Sequence, residues 1–295
     1  MPASVSIPLH LRALRAIVRA LPRGRYRALA TLAPRSGRFV AALAAHVGGA
    51  LFDCDLGDQI AREACFTGVY EPPVTQIFRH HIRAGGTVID AGANWGYFTL
   101  IAAAAVGPSG RVIALEPDPR QHARLCRNLQ LNAFAHVQPL ASAAAAGHGQ
   151  TRLAGYHEGQ ENQGTSSIVA PAASASFTVP MIALDEVAGT APVDMVKIDV
   201  EGAEDLVLAG MHDGLAAQHY RAILLELHPT LLQARGVDPV TCIRLLLDHG
   251  YRGWTIDGTP RAYRRAMARS CPPKTLLQPL DLWRKSPWPH LLWLC

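Results

Sequence analysis

The residue types best suited to proton transfer cluster in two short segments of this 295-residue chain. In Val196-Lys197-Ile198-Asp199-Val200-Glu201-Gly202-Ala203-Glu204, an apolar run ends in two acids that alternate with Val200. Asp199 and Glu201 share one side for as long as the backbone stays extended. Two close carboxylates push one pKa upward, which suits a base working near neutrality. In Arg221-Ala-Ile-Leu-Leu-Glu226-Leu-His228, Glu226 and His228 likewise fall on one side, and a carboxylate beside an imidazole can orient it as a base. Structural duties compete with these roles. Asp199 could accept strand-end amides, Glu201 could cap the helix after Gly202, and His228 before Pro229 could bond to backbone. Either Asp199 or His228 can be the base on this reading. Asp199, Glu226 and His228 also carry atoms able to ligate a divalent cation, though no metal is assigned here. His80-His81 reads as a helix-end cap rather than a ligand pair.

A third segment looks built for a ligand. Thr87-Val-Ile-Asp90-Ala-Gly92-Ala93-Asn94-Trp-Gly96-Tyr-Phe-Thr99 reads as a buried strand that ends in an acid and turns through glycines into a helix. Such a turn places backbone amides and a helix N-terminus where a nucleotide-like ligand binds. Gly92 and Gly96 are expected to keep side chains away from a close backbone approach to that ligand. The spacing departs from the Gly-x-Gly-x-x-Gly of dinucleotide sites, which weakens a dehydrogenase reading. A second strand, Arg111 to Glu116, ends in an acid 24 residues beyond Gly92, where it can accept ribose hydroxyls. Pro117 and Pro119 stop that strand. Ser142 and Ala143, after a third strand at 136–141, are expected near an adenine.

The pattern Asp90-x-Gly92-Ala93-Asn94-x-Gly96-x-x-Thr99 resembles an S-adenosylmethionine loop. Together with Tyr70-Glu71-Pro72, Glu116-Pro117 and Lys197-Ile-Asp199-Val-Glu201-Gly-Ala-Glu204, it resembles the FkbM-type methyltransferases over about residues 50 to 295. The resemblance implies an α/β fold of class I methyltransferase type, with a Rossmann-like doubly wound seven-stranded sheet. It also implies S-adenosylmethionine as cofactor and a hydroxyl acceptor on a sugar, glycolipid or polyketide. Tyr70 and Glu71 match the family signature and are expected to close over the methionine end of the cofactor or over the acceptor. N- or carboxyl methylation, or a non-catalytic adaptor, would keep the same cofactor motifs.

The elements that must position these groups follow from pattern and punctuation. Residues 1–72 read as an N-terminal helical, basic cap and 73–295 as the catalytic domain, with a small β insertion at 150–185 that includes Gly164-Thr-Ser-Ser167 and a run at 166–170. Residues 1–52 hold eight arginines and no acid, leaving 20 bases against 23 acids elsewhere. Leu11, Leu14, Ile17, Val18 and Leu21 form a helical stripe beside Arg12, Arg15 and Arg19. Such a helix can lie on anionic lipid, dock an acidic carrier protein, or pack on the domain with its arginines in water. Nucleic-acid binding is disfavoured by the lack of interleaved aromatics. Six unpatterned cysteines point away from a disulfide scaffold or zinc knuckle and towards a reducing, cytoplasmic setting. The arginine- and alanine-rich composition suggests a bacterial source. Oligomeric state is not legible.

Overall fold

The computed structural model describes residues 7–21, 24–154, 176–268, 271–280 and 288–295. Its strands are β1 (Arg38–Ala42), β2 (Leu51–Asp55), β3 (Thr87–Ala91), β4 (Arg111–Leu115), β5 (Val137–Leu140), β6 (Ala143–Ala144), β7 (Gly149–Ala154), β8 (Ser176–Ile182), β9 (Met195–Ile198), β10 (Ala222–Glu226), β11 (Arg252–Ile256), β12 (Leu277–Pro279) and β13 (His290–Leu294). The helices that bear on the site are α1 (Leu9–Ala20), α2 (Arg25–Leu32), α3 (Gln59–Thr67), α4 (Pro72–His80), α5 (Tyr97–Val106) and α6 (Pro119–Asn132).

The central sheet runs β12-β11-β13-β10-β9-β3-β4-β5. From β5 to β10 all pairings are parallel; β13 is antiparallel to both β10 and β11. Helices cover both faces, so β3, β4 and β9 read as nearly continuous buried apolar runs without alternation. The sequence expectation of seven strands is corrected to eight. The addition is the three-residue edge strand β12, which pairs with β11 and carries too little pattern to stand out. The terminal apolar run lies inside the sheet as β13, between β10 and β11.

Local signals account for the helix starts. Asp58 accepts from the Ala61 amide and Asp118 from the Arg120 amide, capping α3 and α6, while Pro119 opens α6 where no amide hydrogen is needed. The N-terminal elements share one core with a face of the sheet: Leu11, Val18, Leu29 and Phe52 pack in the same cluster as Val88, Leu100 and Val112. β1 and β2 form an antiparallel pair. Asn128 and Asn132 of α6 clasp β2, each accepting a β2 amide, and the Asn132 amide also donates to the Leu51 carbonyl. α1 packs on α3, but its arginines are not simply in water. Arg15 donates to the Ala42 carbonyl at 2.7 Å and Arg19 to the Cys65 carbonyl at 2.9 Å. The boundary expected at residue 72 falls on the first turn of α4.

In the insertion β7 and β8 pair antiparallel, and the two-residue β6, which lies before it in the chain, adds parallel to β8. The expected run at 166–170 and Gly164–Ser167 lie outside the described residues. No helix among the described residues is long and apolar enough to cross a membrane.

Candidate active site

The carboxyl ends of β3, β4, β9 and β10 open on a cavity of about 370 Å³. This is the edge at which open α/β sheets bind ligands. The cap supplies one wall through Ile60, Glu63, Tyr70 and Glu71, and Trp288 and Tyr263 approach from the C-terminal side. Among the described residues the lining carries seven carboxylates against one lysine and one histidine.

The β3 loop is held from within. Asp90 and Thr99 do not line the cavity; the Thr99 hydroxyl donates to Asp90 Oδ2 at 2.6 Å, tying β3 to α5. Burial pushes the Asp90 carboxyl up, against the pull of Lys197 and the Thr99 bond. The glycine expectation is corrected in its cause. A Cβ on Gly92 would run into the Asp199 carbonyl oxygen, and one on Gly96 would lie 2.6 Å from Leu125 Cδ1. Both also have positive φ, at 84° and 97°. These glycines permit close packing of loop on β9 and of α5 on α6, and packing within the protein alone already excludes their side chains. Gly92, Ala93 and Asn94 do line the cavity; Gly96 does not.

Glu116, at the end of β4, is almost wholly buried. Its Oε2 accepts from the Asn94 amide at 2.7 Å and its Oε1 from the Asp118 amide at 2.8 Å. Burial pushes its carboxyl up to about 8 against those two bonds. Held largely protonated at neutral pH, the carboxyl still offers one O–H and unused lone pairs to the hydroxyls of a ligand. Beside it lie Pro117, Ala143, Ala144 and Leu153, an apolar slot; Ser142, expected there, is not in the lining.

The other half of the cavity is built from side chains. Buried Lys197 donates to Asp199 Oδ2 at 2.6 Å and sits 4.6 Å from the centre of the Phe98 ring. Burial would lower the lysine, but Asp199, Asp90 and Glu226 raise it; burial would raise Asp199, but Lys197 and His228 hold it below its ordinary value. Asp199 is therefore a fixed negative charge and a weak base.

His228 Nδ1 donates to Glu204 Oε1 at 2.7 Å, and its Nε2 lies 3.4 Å from Glu201 and 3.8 Å from Glu226. The orienting carboxylate is thus Glu204, not Glu226 as the strand spacing suggested. Glu204 is fully buried at the start of the helix Glu204–Ala209, where the Gly202 amide also donates to it. Burial would lower His228, but the Glu204 bond and the charges of Glu201 and Asp199 lift it to about 9. Glu201 is pushed up to about 7 by burial and by Asp199. It is not extended beside Asp199 as expected: the strand ends at Ile198 and Glu201 has φ 52°. It still faces the cavity.

Glu226 pairs instead with His290 of β13, at 3.0 Å, and Glu71 stands 3.4 Å from the same imidazole nitrogen. Glu71 caps α4 with φ 43°, a left-handed backbone that turns Tyr70 and Glu71 against the cavity. The Tyr70 amide is fixed by the Tyr97 hydroxyl at 2.9 Å. Two triads, Glu71–Glu226–His290 and Asp199–Glu226–His228, bring ligand atoms within 4.8 Å of one another. His80 and His81 belong to neither; their rings meet edge to face. The sequence reading missed His290 and Glu63 in the site and the orienting role of Glu204.

The arrangement fits a cationic nucleoside cofactor on two counts: free acceptor capacity on Glu116 beside an apolar slot, and a carboxylate excess in the other half. Glu116 would hold the ribose, and the carboxylates around Asp199 would favour the positive sulfur. Comparison with known proteins agrees. The model of the methyltransferase FkbM domain matches residues 90–252. No curated protein matches the chain. Solved structures to which the chain is similar include Aeropyrum pernix fibrillarin with bound S-adenosyl-L-methionine (13% identity, 72% of this chain and 67% of that one, TM-score 0.39). Precorrin-6y C5,15-methyltransferase from Geobacter metallireducens is similar at 13% identity, covering 76% of this chain and 88% of that one, TM-score 0.40. An rRNA methylase from Streptococcus thermophilus is similar at 11% identity, covering 74% and 90%, TM-score 0.41. With its family model spanning the glycine loop from Asp90, Glu116 at the end of β4 and the β9–β10 cluster, the chain belongs to the FkbM methyltransferases, which use S-adenosylmethionine.

Proposed function

We propose that this enzyme methylates a hydroxyl oxygen, with His228 as general base and Glu204 as the carboxylate that orients it. The observation that carries this reading is the buried Glu204–His228 bond, which leaves Nε2 directed at the cavity edge beside Glu201. When bound, S-adenosylmethionine supplies an electrophilic methyl group on a positively charged sulfur. His228 Nε2 takes the hydroxyl proton as the oxygen gains the methyl group, and Glu204 stabilises the imidazolium that results. Alignment and exclusion of water do much of the remaining work. Glu116, Pro117 and Ala143 form the nucleoside end, and Tyr70, Glu71 and Glu226 face the acceptor. The acceptor in this reading is a sugar, glycolipid or polyketide. Residues 1–72 act as a cap on the catalytic domain, and the free cysteines suit the cytoplasm.

At neutral pH the free enzyme holds His228 largely protonated. A cationic cofactor nearby opposes that charge and lowers the pKa. The rise of kcat/KM with pH, on the acidic limb, therefore reports the free enzyme near pH 9, and the rise of kcat lies at lower pH. Glu204→Gln removes the main support for the imidazolium and moves both limbs down. Glu201, held near 7, is the second candidate base. Full turnover in His228→Ala, with loss in Glu201→Gln, would transfer the role to it.

A further inference from the structure

α1 carries apolar side chains on two faces. The inner face, centred on Leu11 and Val18, is buried on α3. At about 100° per residue, Arg15, Arg19 and Arg12 form a band at the edge of that contact. Beyond the band, Ala16, Leu9, Ala20, Ala13 and Ile17 occupy an arc of about 100° without one polar side chain. All five are exposed, with Leu9 at 82% and Ile17 at 57%. A helix that only packs on its own domain has no reason to keep its solvent face free of polar groups.

A second cavity of about 440 Å³ lies along the arginine band, lined by Ile7, Arg12, Arg15, Ala16, Arg19 and Ala41. Its walls are mostly apolar, with guanidinium groups at the rim. The Nε of Arg15 and the Nε of Arg19 are buried with no hydrogen-bond partner, although the outer nitrogens of both side chains bond to Ala42 and Cys65. No acidic residue occurs before Asp53 to neutralise these charges.

We infer that α1 is a docking surface for an anionic lipid bilayer, with Leu9, Ala13 and Ile17 entering the interface and the Arg12–Arg19 band meeting lipid phosphates. Both halves of an interfacial helix are present: an apolar arc for the acyl boundary and adjoining cations for the headgroups. The charge complementarity selects an anionic lipid surface over a second copy of this chain, whose α1 would present the same arginines. The inference is independent of which residue is the catalytic base and of which acceptor is methylated.

The experiment is co-sedimentation of the full chain with vesicles of phosphatidylglycerol and phosphatidylcholine, against vesicles of phosphatidylcholine alone. Binding is expected to the mixed vesicles only, and to weaken as salt shortens the electrostatic range. The Leu9→Gln, Ile17→Gln double variant should lose at least about tenfold in vesicle affinity while binding S-adenosylmethionine like the parent, since it alters exposed side chains only. Arg12→Gln should lower affinity for the anionic vesicles alone. Equal binding of parent and double variant, or no binding by the parent, would overturn the inference. So would concentration-dependent self-association that the double variant abolishes, for the arc would then be a contact between copies.

Discussion

The two halves of the cavity are built by different means. The half proposed for the nucleoside is made largely of backbone: a glycine turn between β3 and α5, and Glu116 pinned by two amides within a few residues of the loop or of itself. The half proposed for the acceptor is made of side chains brought from Glu71 at the start of α4, Asp199 and Glu201 after β9, and Glu226 and His228 at the end of β10, with His290 of β13 behind Glu71 and Glu226. Backbone geometry fixes a ligand common to a family, whereas long-range side-chain clusters can change without disturbing it. The cofactor half should accordingly fail in binding, and the other half in turnover.

The largest expected effect is on chemistry. His228→Ala should lower turnover with methyl-labelled cofactor by about 10²–10⁴-fold over a panel of hydroxyl acceptors. Parent-like rates would break the division of labour. The glycine at the junction tests it differently. Gly92→Ala sets a Cβ against the Asp199 carbonyl and forces one half to move the other, at a cost of about 3 kcal/mol in a denaturant titration. Gly96→Ala meets only the tip of Leu125 and should cost about 1–2 kcal/mol. Equal losses would mean that the loop does not lean on β9.

Removal of Glu116 should act on binding. Glu116→Ala is expected to weaken S-adenosylmethionine by about 1–3 kcal/mol, through loss of its hydrogen bonds to ribose. The pH dependence of stability is a further readout. Glu116 and Glu201 are held near 8 and 7, above the ordinary 4.5, and His228 near 9, above 6.5. Each binds more protons folded than unfolded, so their contribution is full below the unfolded value and lost as pH rises through the folded one. The melting temperature should fall between pH 6 and pH 9. The lowered carboxyl of Asp199 acts oppositely, with stability lost only as pH falls below about 3.8. A melting temperature that rises towards pH 9 would contradict these assignments.

The same contrast explains what the sequence made legible. The β3 turn, Glu116 and the Lys197–Glu204 string are local: their spacing alone places them on neighbouring strand ends. His290 gave no such signal, because nothing near it says that β13 inserts between β10 and β11. Glu204 looked like a first-turn acid, favourable to the helix dipole, and only the fold turns it under His228. Glu226 was credited with that duty because it shares a strand with the histidine; the strand end instead gives it to His290. Glu71 depends on a left-handed backbone at a non-glycine residue, which no periodicity announces. The short strands β1 and β12 pair at edges, where apolar alternation is weakest.

The most direct test of the two-half account is calorimetric titration of S-adenosylmethionine into the parent protein, His228→Ala and Glu116→Ala side by side. The account predicts that His228→Ala binds within about threefold of the parent and that Glu116→Ala binds roughly 5- to 150-fold more weakly. Parent-like binding by Glu116→Ala together with a large loss in His228→Ala would contradict it, because the cofactor would then be held by the half assigned here to the acceptor.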